Sequence, residues 1–413
     1  MRFFFIAPTL PLAGHSVRAQ TVVVREALRA LADLGHEVLF QPLLHPEHEG
    51  GEPATDVKLL PPLTAPHDAV GSTPSLLVRQ AYSNDPGLFY PSHALRDELA
   101  RRVDSTGADL VFHLWCSAAF AACSRVEAPV FAYAGNPDHY SMAARLKHPD
   151  LFGIPRRTVR NRTKLLLWRR AYERFEDVHV ELVRTSRWVG CVSAPNASYY
   201  AEKGHPESFY VQNMWPATGE HLELPRPTEN RIVGNMGGQY ATGNTFGLSF
   251  LGREILPELD RRLGADYSVH LYGAGGMAPA VAESLAHPRV VNRGFVDDID
   301  GELRSAKVFL LANNANPDFV VGHTRILHAW SVGSCLVAHR NMAVAMPEIV
   351  HGENALLGDN AAEIAEHVAH ALEDEGLRAR LVEGGRHTWE RDFLPRTVIR
   401  RVVARIEGDA AAG

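Results

Sequence analysis

Short runs of apolar residues recur along the chain, and between them apolar positions return every three or four residues. Residues 3–7 (Phe-Phe-Phe-Ile-Ala) read as a buried strand, a glycine- and proline-bearing loop follows through Ser16, residues 19–34 have helical periodicity, and 36–40 form a second strand. Strand, loop, helix and strand make the βαβ unit of a parallel sheet. Strands are predicted next at 109–113 and 130–133, joined by a small-residue helix over 117–126; a charged helix at 156–184, a strand at 188–192 and a helix at 196–203 follow. Residues 45–74 read as a long surface loop. Periodicity stops in the proline-rich stretch 215–227, and 219–227 is the candidate linker. The rhythm then restarts, with strands at 231–235, 268–272, 290–295, 308–312 and 335–338 and helices at 246–262, 326–332, 361–373 and 377–390. The expected fold class is α/β, with two facing Rossmann-like domains at 1–218 and 228–392, a cleft between them, and a final helix in 393–413 crossing back to the first domain.

Composition excludes more than it suggests. With 413 residues, 46% apolar and 22% charged, the chain can build two cores, and 48 acidic against 42 basic residues leave no bulk attraction for nucleic acid. The run from Arg156-Arg157 to Lys164 reads as a local basic patch or a solvated helix face. Four separated cysteines, without a C-x-x-C pair, argue against a disulfide framework or a structural zinc site. The opening apolar run is too short for a signal peptide or a membrane span, so a cytoplasmic protein is expected; its oligomeric state is left open. His45, Glu47, His48 and His67 fall in a Pro/Gly-rich loop with no spacing that organises a metal site.

No P-loop, dinucleotide fingerprint, nucleophile elbow or H-E-x-x-H motif is present. Gly273-Ala274-Gly275-Gly276 follows a predicted strand, where it suits a close phosphate or simply a tight turn. The succession Val233-Gly234-Asn235-Met236, Leu271-Tyr272-Gly273-Ala274-Gly275, Gly294-Phe295-Val296-Asp297-Asp298, Gly322-His323-Thr324-Arg325, Val332-Gly333-Ser334-Cys335 and His351-Gly352-Glu353-Asn354 resembles, in order and spacing, the nucleotide-sugar domain of the family-4 retaining glycosyltransferases (glycosyl transferases group 1). Those proteins have the GT-B fold. The resemblance covers about 231–393; the N-terminal half matches only in outline.

The resemblance implies transfer of a sugar from a nucleoside diphosphate donor, UDP- or GDP-linked, to a small-molecule acceptor, with retention and without metal or other cofactor. Donor-binding positions are then Gly237, Gly238, Tyr272, Gly273, Phe295, Val296, Thr324, Arg325 and His328. The 294–296 turn would hold the base, and Arg325 would face the diphosphate. The family's two glutamates eight positions apart fall at Val320 and His328, so both carboxylates are missing; His328 suits either a ribose contact or packing. The family's basic pair after the first strand of this domain is replaced by uncharged residues around 240–245. On the acceptor side the resemblance points to Gly14, His15, Asn136 and His139. His113 and Asp138, at predicted strand ends, join His15 and Arg325 as catalytic candidates: Asp138 with His139 suits a base and its orienter, or equally an Asn-Pro-Asp turn, and His113 a site group or a core histidine. An epimerase or hydrolase on the same fold, and a non-catalytic sugar-nucleotide-binding protein, are the alternatives.

Overall fold

The structure is a computed structural model, and it describes residues 1–12, 19–44, 52–64, 73–90, 93–154, 158–217, 227 and 229–412. By internal packing the chain divides into two units, 1–146 with 157–212 and the helix Pro395–Ala412, and 147–156 with 213–394.

The first unit is built on a parallel sheet. Its strands are β1 (Arg2–Ala7), β2 (Glu37–Leu44), β3 (Lys58–Leu59), β4 (Leu63–Thr64), β5 (Leu110–Leu114), β6 (Val130–Ala134), β7 (Trp188–Cys191) and β8 (Ser208–Tyr210), in the order β3-β2-β1-β5-β6-β7-β8, with β4 beside β2. Continuous apolar runs are what a parallel sheet covered on both faces requires, and β1, β5 and β6 are buried along almost their whole length. The helix Pro395–Ala412 packs on the helix Ala19–Asp33 of this unit.

The second unit holds β9 (Arg231–Asn235), β10 (Ser268–Tyr272), β11 (Val290–Gly294), β12 (Val308–Leu311), β13 (Leu336–His339) and β14 (Leu356–Gly358), all parallel, in the order β11-β10-β9-β12-β13-β14. This is the doubly wound arrangement, whose strand order reverses between β9 and β12. Residues 147–156, counted with the first domain from the sequence, pack here: Leu151 sits against the core, and His148 Nε2 lies 2.9 Å from Asp318 Oδ2.

Three readings of the elements change. The helix expected at 246–262 begins at Thr242 and widens into a π-type turn over Leu251–Ile255. The stretch between 74 and 109 contains the helices Pro74–Ala81 and His93–Thr106. β3, β4, β8 and β14 were not expected, because two or three residues are too few to show a period, and the first two fall in the stretch read as a surface loop.

Candidate active site

In the second unit three loops at the carboxyl ends of β9, β10 and β11 are tied together by side-chain amides and backbone. Asn235 Nδ2 donates to Gly237 O (3.1 Å) and Tyr272 O (2.9 Å), Gly273 N donates to Gly294 O (2.7 Å), and Gln239 Nε2 donates to Asn292 Oδ1 (2.8 Å). Gly273 has φ 128°, and a Cβ there would stand 2.0 Å from Gly237 O, so only glycine lets the two loops meet. That contact gives the glycine a structural role whether or not a phosphate approaches it.

Arg325 enters this cluster from the first turn of the helix Thr324–Ser331. Its guanidinium donates to Asn244 Oδ1, and its Nε stands 3.4 Å from where a Cβ on Gly237 would lie. Asn244 is held by Asn313 Nδ2, which donates to the same oxygen (2.6 Å), and donates to Gly238 O (2.6 Å). Among the described residues no carboxylate pairs with Arg325. Burial lowers its pKa to about 10, so the cation persists at neutral pH. The preceding His323 makes no side-chain cap; its ring bonds Asn314 Oδ1 (2.9 Å), and burial followed by the Arg325 charge takes its pKa down to about 3. The first amides of the helix are therefore not capped by that side chain, beside a cation and at the point where the strand order reverses.

Two donor candidates have other employment. The Tyr272 side chain lies in the core with its hydroxyl donating to Glu302 Oε2 (2.6 Å), so only its carbonyl belongs to the loop cluster. His328 has its Nε2 2.6 Å from Asp300 Oδ1 and its ring stacked on Trp215 at 4.8 Å, which engages the nitrogen otherwise free for a ribose. Phe295 is 59% exposed, with Val296 beside it on the loop after β11.

In the first unit a cavity of about 260 Å³ opens at the carboxyl ends of β5 and β6, lined among others by His113, Trp115, Ser117, Tyr133, Asn136 and Asp138. His113 is fully buried on β5, with both ring nitrogens unpartnered, and burial lowers its pKa to about 3. Trp115 has φ 47°, the left-handed region that a tryptophan rarely occupies. Its N–H donates to Tyr133 O (2.9 Å), its carbonyl accepts from Gln20 Nε2 (3.2 Å), and its indole Nε1 has no partner.

Asp138 forms part of the cavity wall, and its partners differ from those expected. Ser117 Oγ donates to Oδ1 (2.5 Å), Tyr90 Oη donates to Oδ2 (2.8 Å), and His179 Nδ1 lies 3.4 Å from Oδ2. Burial alone would raise its pKa, but His179 and these hydrogen bonds hold it below the ordinary carboxylate value. His139, expected to orient Asp138, instead faces Glu176 Oε2 (3.7 Å) and Tyr199 Oη (3.5 Å), and does not line the cavity. Burial, then His179, lowers its pKa to about 4. Asn136 does line it, accepting from Asn196 Nδ2 (3.1 Å). Gly14 and His15 lie outside the described residues, as does the loop histidine cluster. Sequence reasoning missed Trp115, Ser117, Tyr90, His179 and Asn244; only Trp115 and Ser117, just after a predicted strand, carried a positional signal.

Fold and loops together define the GT-B class of two Rossmann-like domains. The sequence model of the family described as glycosyl transferases group 1 matches residues 230–374, so the resemblance to that family lies in the second unit. No curated protein matches the chain. Solved structures that share the fold include sucrose-phosphate synthase from Thermosynechococcus elongatus (14% identity, TM-score 0.60, 100% of each chain covered). Anabaena Alr3699/HepE in complex with UDP and glucose is similar over 98% of this chain and 99% of its own (13% identity, TM-score 0.60). TarM of S. aureus matches over 98% of each chain (9% identity, TM-score 0.65). No helix among the described residues is long and apolar enough to cross a membrane.

Proposed function

We propose that the protein transfers a sugar from a UDP- or GDP-linked donor to a small-molecule acceptor, with retention at the anomeric carbon. The observation that carries this reading is Arg325, a persistent cation with no carboxylate partner among the described residues, held by Asn244 at the start of a helix and against the Gly237 loop. A diphosphate meets such a site with charge-assisted bonds from the guanidinium and dipolar attraction from the helix amides. The loop cluster around Gly294, Phe295 and Val296 suits the base, through backbone groups. As the bond from the anomeric carbon to the phosphate oxygen breaks, charge grows on the leaving diphosphate and Arg325 gains strength against it. The acceptor forms its bond on the same face, and its proton passes to the leaving phosphate oxygen.

The acceptor is assigned to the first-unit cavity, where the unpartnered His113 and Trp115 nitrogens await hydrogen-bonding groups. Asp138, already accepting two hydrogen bonds, is a weak base there and acts by orienting Ser117. Metal independence belongs to this reading because Arg325 and the helix amides would meet the diphosphate charge that a bound cation otherwise neutralises. Chelation by EDTA should leave turnover intact, and a loss restored by magnesium or manganese removes that part of the reading. The principal test is a thermal-shift panel of nucleoside diphosphates, followed by donor hydrolysis and transfer assays with UDP- and GDP-sugars. Absence of stabilisation by every nucleotide overturns the proposal; stabilisation without hydrolysis or transfer replaces it with a binding protein.

A further inference from the structure

We infer that the outer face of the helix pair Pro74–Ala81 and Val159–Val183 docks on an anionic lipid bilayer surface. The two helices pack through Leu77, Ala81 and Ala171, with Leu167 and Trp168 alongside, so their relative placement is fixed by a small core of their own. The opposite face is left apolar and cationic together. Val159 is 81% exposed, Tyr82 65% and Leu166 64%, among the largest exposures of big apolar side chains in the described residues, and Val78 adds 45%. Val159 and Leu166 are seven residues apart and share one side of the helix. The Arg170 guanidinium lies 4.6 Å over the Tyr82 ring, which joins the two helices across that side.

Charge decides the occupant. Between Thr158 and Arg174 the sequence carries six basic residues, Arg160, Arg162, Lys164, Arg169, Arg170 and Arg174, against the single acid Glu173, in a chain whose net charge is −6. All of these basic residues but Arg174 are exposed, and Arg162, Arg169 and Arg170 flank Val159 and Leu166 on the same side, whereas Lys164 turns over the Trp168 ring. Apolar side chains ringed by arginine and lysine on a helix that lies flat are what an interface of acyl chains and anionic headgroups accepts: the apolar groups enter the headgroup boundary and the cations stay at the phosphates. A second copy of this surface would set like charges against each other, which disfavours self-association there.

The test is cosedimentation of the full chain with vesicles of phosphatidylcholine alone and with about one third phosphatidylglycerol, at low and high salt. Binding is expected only to the anionic vesicles and should weaken with salt. The double variant Arg162→Gln/Arg169→Gln should lower the partition coefficient roughly 30-fold, each cation near an anionic surface being worth about 5-fold. Leu166→Glu should abolish binding. Each variant is first matched to the parent in thermal midpoint; if Leu166→Glu is destabilised, the charge variant alone decides. Equal binding to neutral vesicles, no binding, unchanged binding by a folded charge variant, or a dimer that Leu166→Glu dissociates would each overturn the inference.

Discussion

The loop cluster of the second unit and the cavity of the first are both built at the carboxyl ends of parallel strands, yet they leave opposite things unsatisfied. In the second unit Asn235, Gln239, Asn244 and Asn313 bond one another's loops, and what stands out among the described residues is a cation without a carboxylate, with Asn235 Oδ1 as a neutral acceptor left over beside it. In the first unit the charge of Asp138 is met by Ser117, Tyr90 and His179, and what remains is neutral: two imidazole nitrogens and an indole N–H. A buried polar atom without a partner costs about 1–3 kcal/mol, as does a left-handed tryptophan. Such costs persist where a ligand offsets them. The contrast is the reason for proposing an anion at one site and an uncharged hydrogen-bonding molecule at the other.

The most damaging way to break the contrast is Gly273→Ala. Its Cβ would stand 2.0 Å from Gly237 O at a φ of 128°, so the two loops must separate. Destabilisation of about 3 kcal/mol or more is expected, with loss of donor-dependent stabilisation. A variant of parent stability that still binds nucleotide would show that the loop contact is dispensable. Arg325→Ala tests the charge itself. Loss of a charge-assisted contact costs about 1.5–3 kcal/mol, so donor KM should rise and kcat fall by a combined 10- to 100-fold. Stability should fall only modestly, since no ion pair is broken and Asn244 Oδ1, which loses the guanidinium, keeps its bond from Asn313. Unchanged donor kinetics in the folded variant would sink the diphosphate assignment.

The first unit gives the complementary experiment. His113→Ala should depress transfer by about tenfold or more while nucleotide-dependent stabilisation stays at the parent value, because in the proposed reading the nucleotide is held by the second-unit loops. Parent-rate transfer would move the acceptor away from this cavity.

The residues behind these tests were unequally visible in the sequence. Glycine loops after apolar runs carry a local signal, because a strand end and a tight backbone approach lie within a few residues of each other; hence the Gly237 and Gly273 loops can be read from the residues, whereas Arg325 is singled out only through the family resemblance. Asn244 was not legible, because its role depends on a helix that begins at Thr242, where Gly247 allows Asn313 to approach the helix backbone: a Cβ there would lie 2.6 Å from Asn313 Oδ1. The partners of Asp138 were not legible either. Tyr90 is 48 residues away in sequence, and no periodicity links it to a turn that reads locally as Asn-Pro-Asp. Adjacency suggested His139 instead, but the helix Val159–Val183 supplies both Glu176, which draws His139 away, and His179, which takes its place.

The smallest expected effect separates the two units by pH. A histidine in the unfolded chain protonates near pH 6.5, whereas His113 in the folded protein resists until about 3. Between these values the unfolded state binds more protons, so His113 contributes a loss of stability as pH falls through that interval and nothing above it. His323 in the second unit, also near 3, acts with the same sign. His113→Phe should therefore lessen the decline in unfolding free energy between pH 6 and 5 by about 1 kcal/mol, near the limit for one proton. The difference between the two pH values is the readout, so the cost or gain of a phenyl ring at neutral pH cancels. Hydrogen exchange assigns the change to a unit: protection in β5 and β6 should become less sensitive to acid, while β9 and β12, which answer to His323, keep the parent response. An undiminished acid response in β5 and β6 would mean that His113 is already protonated or hydrated when folded, and the cavity would then offer a cation where a neutral site is assigned.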